Sequence, residues 1–234
     1  MTDGIDGTAI ADRIVAAARG ELGTDTRRGV LRKSAGAGAG LLALGAGAGG
    51  AAAQDDSFED DIAVLNYALT LEHLEDVFYR RGTEEFSKED FREAAYDDEQ
   101  DLEQYPWDME QAYDRMVTIG EHEATHTETL TSVINDLGGD PAGELEYDFG
   151  FETVADFIGI AMVLENTGVS AYDGAIKFIE SAELTQAGAT IATVEARHAS
   201  YLNDLNNEDP FPEAFDTTRS RSEVLDAAGG FIES

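Results

Sequence analysis

The sequence predicts an all-α protein, an antiparallel four-helix bundle with one long connection. Four long stretches repeat apolar residues at intervals of three and four, the spacing that lines one face of a helix. No stretch alternates apolar and polar residues in the manner of a strand. The last two stretches are joined by a turn short enough to favour an antiparallel pair.

The first helix is expected over 59–81, ending at Gly82. A longer connection follows over 83–106, with a short helix starting near Ser87 and an acidic cluster of Asp97, Asp98, Glu99 and Asp101. That cluster lacks the spaced ligands and central glycine of a calcium loop, so it reads as a solvated face. The second helix is expected over 109–137, stopped by Gly138-Gly139-Asp140-Pro141. The third is expected over 152–179 and the fourth over 185–205. Beyond Leu205 the chain turns irregular through Pro210 and Pro212, with one further helical turn at 222–228 and no long fifth helix. The bundle is therefore assigned to 54–206 and an irregular tail to 207–234.

Residues 1–53 read as an export leader. Thr26-Arg27-Arg28-Gly29-Val30-Leu31-Arg32 resembles the twin-arginine motif, with Val30 and Arg32 where Phe and Lys are usual. Lys33 and an uncharged run of Ala, Gly and Leu follow, closing on Ala51-Ala52-Ala53, small residues that suit signal peptidase. Glycine recurs too often in that run for a membrane anchor. The expectation is export by the twin-arginine pathway to the cell surface or the extracellular space, with no membrane association once the leader is removed.

The chain has 234 residues, 49 acidic and 15 basic, a net charge of -34 and no cysteine. Without cysteine there are no disulfides, thiolate metal sites or cysteine nucleophiles, so any metal is held by nitrogen and oxygen. Without a basic face, nucleic acid is excluded as a partner. The acids are spread along the chain and the only lysines are Lys33, Lys88 and Lys177, which predicts a surface adapted to strong salt. There the Debye length shrinks to about 3 Å and self-repulsion is screened.

The chemistry lies on the buried seams. The second helix carries Met109, Ala112, Met116, Ile119, Leu130, Val133 and Leu137 on one stripe, and Glu123 and His126 fall inside it. The fourth repeats the arrangement with Ile191, Glu195, His198, Leu202 and Leu205. In the third, Glu165 is the only charged residue between Phe157 and Tyr172. A helix apolar all round is buried, and a lone carboxylate there needs compensation. In the first, Glu72 is followed by Tyr79 at the same offset as Glu165 by Tyr172, so the halves look like an internal duplication.

Paired in a bundle, these helices gather four carboxylates and two imidazoles, a donor set for two divalent cations such as iron or manganese. Glu75 shares the apolar arc with Glu72 and is either an extra ligand or its substitute; the tyrosine offset favours Glu72. His73 and His122 fall on polar arcs and read as surface residues. The competing account is a metal-free network of buried Glu and His bonded to one another. It leaves excess negative charge uncompensated.

Leu65-Asn-Tyr-Ala-Leu-Thr-Leu-Glu-His-Leu-Glu75, Glu121-His-Glu-Ala-Thr-His126, Leu164-Glu-Asn-Thr-Gly-Val-Ser-Ala-Tyr172 and Glu195-Ala-Arg-His198 together resemble the ferritin-like superfamily that includes bacterioferritin and rubrerythrin. Within it they are similar to the family of plant desiccation-related and fungal stress-regulated proteins. The resemblance implies that Glu72, Glu123, His126, Glu165, Glu195 and His198 ligate two iron or manganese ions, with Tyr79 and Tyr172 beside them as the candidate catalytic tyrosines. It implies a di-metal oxidoreductase acting on oxygen or peroxide, or else a non-enzymatic metal-binding or stress-related structural protein. The missing fifth helix departs from storage cages, and the missing cysteines exclude a rubredoxin domain. A dimer is compatible with the sequence, which fixes no oligomeric state.

Overall fold

The computed structural model describes residues 56–96 and 106–233; the leader expected at 1–53 and the acidic cluster of Asp97, Asp98, Glu99 and Asp101 lie outside the described residues. The helices are α1 (Asp61–Glu85), α2 (Lys88–Ala94), α3 (Pro106–Asp136), α4 (Val154–Ala175), α5 (Ala182–Leu205) and α6 (Arg221–Ala228), with 3-10 turns at Ile176–Phe178 and Gly229–Phe231. Among the described residues there is no strand, only an isolated bridge between Tyr147 and Ile232. The all-α bundle expected from the sequence is the one observed.

Helix starts follow local chemistry. Asp60 accepts from the Ala63 amide at 2.8 Å, and the pairs Ser87/Asp90, Thr153/Asp156 and Ser220/Glu223 form reciprocal capping boxes that satisfy amides left free by the first turn. Asp61 accepts from the amides of Glu180 at 2.7 Å and Ser181 at 3.1 Å, tying the start of α1 to the turn between α4 and α5.

Contacts set the directions. Along α1, Ile62 meets Gly139, Glu72 meets His126 and Tyr79 meets Gly120, so α1 and α3 are antiparallel. Against α4 the order is Glu72 with Tyr172, Tyr79 with Glu165 and Gly82 with Phe157, again antiparallel. α5 returns along α4, with His198 beside Glu165 and Asn206 beside Ile158. α3 and α4 consequently run parallel, and the connection 137–153 must travel the length of the bundle. It does so along α1: Ala142 donates to Asn66, Arg80 pairs with Glu144, Arg81 donates to the Tyr147 carbonyl, and Phe149 packs on Phe78. Two antiparallel pairs are thus joined by a crossover.

Gly82, expected to end the first helix, does not; α1 continues to Glu85. A Cβ there would lie 2.0 Å from the Phe157 ring, so this glycine serves a close approach of α1 to α4 rather than a helix stop. Phe157 belongs to an aromatic cluster with Phe78, Phe86, Phe91 and Phe151 that fills this end of the bundle. An aliphatic cluster of Leu65, Leu69, Leu130, Ile134, Leu184 and Ile191 lies toward the other end. α4 is long and apolar enough to cross a membrane by length and composition alone, yet most of its apolar window is packed inside the bundle.

The segment after Leu205 folds back onto α4. The Arg219 amide donates to the Ser170 carbonyl at 3.2 Å, and α6 buries Val224 completely. In place of the single turn expected at 222–228 stands a capped helix of 8 residues.

Candidate metal centre

The polar centre of the bundle receives side chains from all four long helices: Glu72, Glu75 and Tyr79 from α1, Glu123 and His126 from α3, Glu165 and Tyr172 from α4, and Glu195 and His198 from α5. Glu72, Glu123, Glu165 and Glu195 are each 0% exposed. Five buried carboxyls in one core are costly unless cations or protons compensate them.

Two overlapping groups bring candidate ligand atoms within 4.8 Å of one another: Glu72, Glu123, His126 and Glu195, and Glu123, Glu165, Glu195 and His198. Glu123 and Glu195 belong to both, with Glu72/His126 and Glu165/His198 on either side. The arrangement has the two-fold character read from the repeated sequence.

The histidines are held among carboxylates. His126 Nδ1 lies 3.2 Å from Glu72, 3.0 Å from Glu123 and 3.1 Å from Glu195. His198 Nδ1 lies 3.1 Å from Glu123 and 3.2 Å from Glu165. Each tyrosine serves the opposite half: Tyr79 donates to Glu165 Oε1 at 2.6 Å, and Tyr172 donates to Glu72 Oε1. This exchange is invisible in the sequence offset, which places each tyrosine two turns along its own helix and says nothing of the helix it faces.

Electrostatics divide the carboxyls. Burial would raise Glu72, but the His126 charge and hydrogen bond, aided by Tyr172, hold it below the usual carboxyl range. Burial, then repulsion from Glu123 and Glu165, pushes Glu195 well above it. Glu123 is raised to about 7 by burial and by Glu165, against the pull of both histidines. Burial opposes charge on the histidines, but Glu72 and its neighbours raise His126 well above its ordinary value, and Glu123 and Glu165 raise His198 to about 9. Burial and the adjoining glutamates keep the Tyr79 and Tyr172 phenols protonated.

The metal-free centre therefore stores protons on its histidines and on part of its carboxyls. At the shared position Glu195 Oε2 is buried without a hydrogen-bond partner, while Glu123 Oε1 and Glu195 Oε1 are buried with only a histidine Nδ1 at 3.1 Å, in poor hydrogen-bond geometry. Buried carboxylates so poorly satisfied call for a cation or a proton to compensate them. An all-oxygen and imidazole donor set suits iron or manganese.

Glu75 stands outside both groups although it is buried. Gly168 on α4 makes room for it: a Cβ there would lie 3.0 Å from Glu75 Oε1 and 3.5 Å from Glu195 Oε2. Glu75 lines a cavity of about 20 Å³ together with Ala227 and Ala228 of α6. Burial, then Glu195 and the other carboxylates, drives its carboxyl well above the normal range, so it is a neutral acid beside the centre. His73 donates from Nε2 to the Ala142 carbonyl at 3.0 Å and fixes the crossover. His122 is exposed, as its polar arc predicts, yet its Nδ1 lies 2.9 Å from His198 Nε2. Sequence reasoning missed this link, whose only signal was a position adjoining Glu123.

Residues 60–208 match the family described as the ferritin-like domain. The chain is similar to Protein rds1 of Schizosaccharomyces pombe, 28% identical over 173 residues that cover 74% of this chain and 39% of the fungal protein. The chain thus matches well under half the length of that relative.

Proposed function

Because the chain belongs to the ferritin-like domain family, we propose that its buried centre holds two iron or manganese ions and that the protein is an exported oxidoreductase consuming oxygen or peroxide. The observation that carries this reading is the gathering of Glu72, Glu123, Glu165, Glu195, His126 and His198 into two overlapping groups whose ligand atoms lie within 4.8 Å of one another. When bound, the ions supply the electrons for reduction of oxygen or peroxide.

The chain's own part is positional. Glu72, Glu123, His126, Glu165, Glu195 and His198 would hold the ions, the two histidines through Nδ1 once deprotonated, and Tyr172 and Tyr79 fix the rotamers of Glu72 and Glu165. The phenol protons stay on oxygen, so the tyrosines remain donors. Complete burial of the four glutamates excludes bulk water. Protein purified from its own salt-rich setting should carry about two metals per chain; under half a metal per chain would favour a structural network. That alternative draws on one observation, that both imidazoles already sit within hydrogen-bonding distance of carboxylates.

The leader at 1–53 supports export in the folded state, which would let metal be loaded inside the cell. Replacing Arg27 and Arg28 together by Lys should retain the protein in the cytoplasm; unchanged appearance outside the cell would remove the twin-arginine assignment. The acid-rich surface supports a setting of molar salt.

A further inference from the structure

We infer that His122 is a positioning residue that fixes the orientation of His198 and makes the two metal positions unequal. The inference rests on the two-ion reading and concerns how that centre is built. His122 Nδ1 and His198 Nε2 are 2.9 Å apart, and the two rings lie within 15° of parallel with centroids 5.2 Å apart, an edge-to-edge pair rather than a packed face.

The direction of this bond follows from the other side of His198. Its Nδ1 faces Glu123 and Glu165 at 3.1 and 3.2 Å. In the loaded protein that nitrogen would offer its lone pair to a metal. The ring's one proton would then sit on Nε2, so Nε2 would donate and His122 Nδ1 accept. A ligating imidazole whose other nitrogen is held in this way is fixed in tautomer and ring angle and is a more basic ligand.

The other half has no counterpart. In the internal repeat Glu123 and His126 correspond to Glu195 and His198, and the place of His122 is taken by Val194, which cannot accept a hydrogen bond. Among the described residues no side chain hydrogen-bonds His126 Nε2. The duplicated halves therefore differ where ligand orientation is set, and the Glu165/His198 position should be the tighter of the two.

Two measurements test this. First, the ¹⁵N imidazole signals of the protein loaded with diamagnetic Zn²⁺ should show His122 unprotonated at Nδ1 and protonated at Nε2; a protonated Nδ1 overturns the inference. Second, the metal-free protein is titrated with Co²⁺, read by absorption and calorimetry. The wild type should bind in two resolved steps. His122→Val, which copies the other half, should weaken the tighter step by about 10–100-fold and leave the weaker one in place. His122→Asn, which restores an acceptor near the Nδ1 position, should recover most of the loss. Two identical steps in the wild type, an unchanged His122→Val isotherm, or equal weakening of both steps without rescue by Asn would each overturn it. A wild type that binds no Co²⁺ removes the two-ion reading itself, and the inference with it.

Discussion

Glu195 and Glu72 are both fully buried, both on seams that the helical spacing marks as core, and both within reach of His126. They differ in what satisfies them. Glu72 accepts from Tyr172 and from His126 and is ionised in the metal-free protein, whereas Glu195 has only His126, 3.1 Å from its Oε1, and burial with repulsion from Glu123 and Glu165 favours its protonated form. Replacing a neutral acid by an amide changes little, so Glu195→Gln should leave metal-free stability unchanged or slightly raised while metal content collapses. Glu72→Gln removes the acceptor of charge-assisted bonds and should destabilise the metal-free protein by about 1.5–3 kcal/mol. Denaturation of both metal-free variants in molar salt, beside metal analysis, separates them; equal losses would contradict the division of charge described here. Spacing made these residues legible because a buried stripe leaves an acid nowhere else to point. Helical spacing alone places Glu75 nearer the centre of the apolar arc, and only the tyrosine offset favours Glu72. The space that Gly168 opens for Glu75 belongs to a different helix.

At the level of the helix, Gly82 shows where a sequence signal has two physical meanings. Glycine after an apolar stretch marks a helix end when the chain needs a left-handed residue, and marks a crossing when a neighbour comes too near for a Cβ. Sequence gave no means of choosing, because the partner is Phe157, 75 residues on. The structure chooses the crossing, and the sign of one substitution follows. In an exposed helix Gly→Ala stabilises by up to about 1 kcal/mol. At Gly82 the new methyl would sit 2.0 Å from a ring enclosed by Phe78, Phe86, Phe91 and Phe151, which leave it little room to turn aside. Overpacking of that kind costs about 1–3 kcal/mol, so Gly82→Ala should lower the denaturation midpoint without changing metal content. A raised midpoint would mean that α1 and α4 are further apart than described. The crossover was illegible for a related reason: its ties run from Ala142, Glu144 and Tyr147 to α1, and nothing local to 137–153 announces them. The four long helices were legible because each carries its own apolar stripe.

For the whole molecule the decisive quantity is how many protons the folded chain holds relative to the unfolded one. Repulsion among the exposed acidic side chains is screened in molar salt. The buried centre behaves differently. His126 and His198 have folded values above the ordinary 6.5, His198 at about 9, so the stability they contribute is fully present below 6.5 and is lost as pH rises toward 9. Glu195 and Glu123, the latter raised to about 7, also favour the protonated folded state, and their contribution likewise falls as pH rises from the usual carboxyl range through their folded values. Glu72 has the opposite sign, but its depressed value places its effect at acid pH, outside this window. The metal-free protein should therefore become less stable from pH 6 to 8, with His198 alone accounting for about 2 kcal/mol above pH 6.5. Metal bound at this cluster would reverse the slope. Binding there would require both histidines, Glu195 and the partly protonated Glu123 to lose their protons, so loading would release protons and affinity would climb with pH. Denaturation midpoints in molar salt, taken at pH 6 and 8 with and without metal, should diverge: falling for the metal-free protein and level or rising for the loaded one. Parallel pH slopes in the two forms would show that the ions do not bind at this cluster, since no other buried group of glutamates and histidines described in the chain would exchange protons for them.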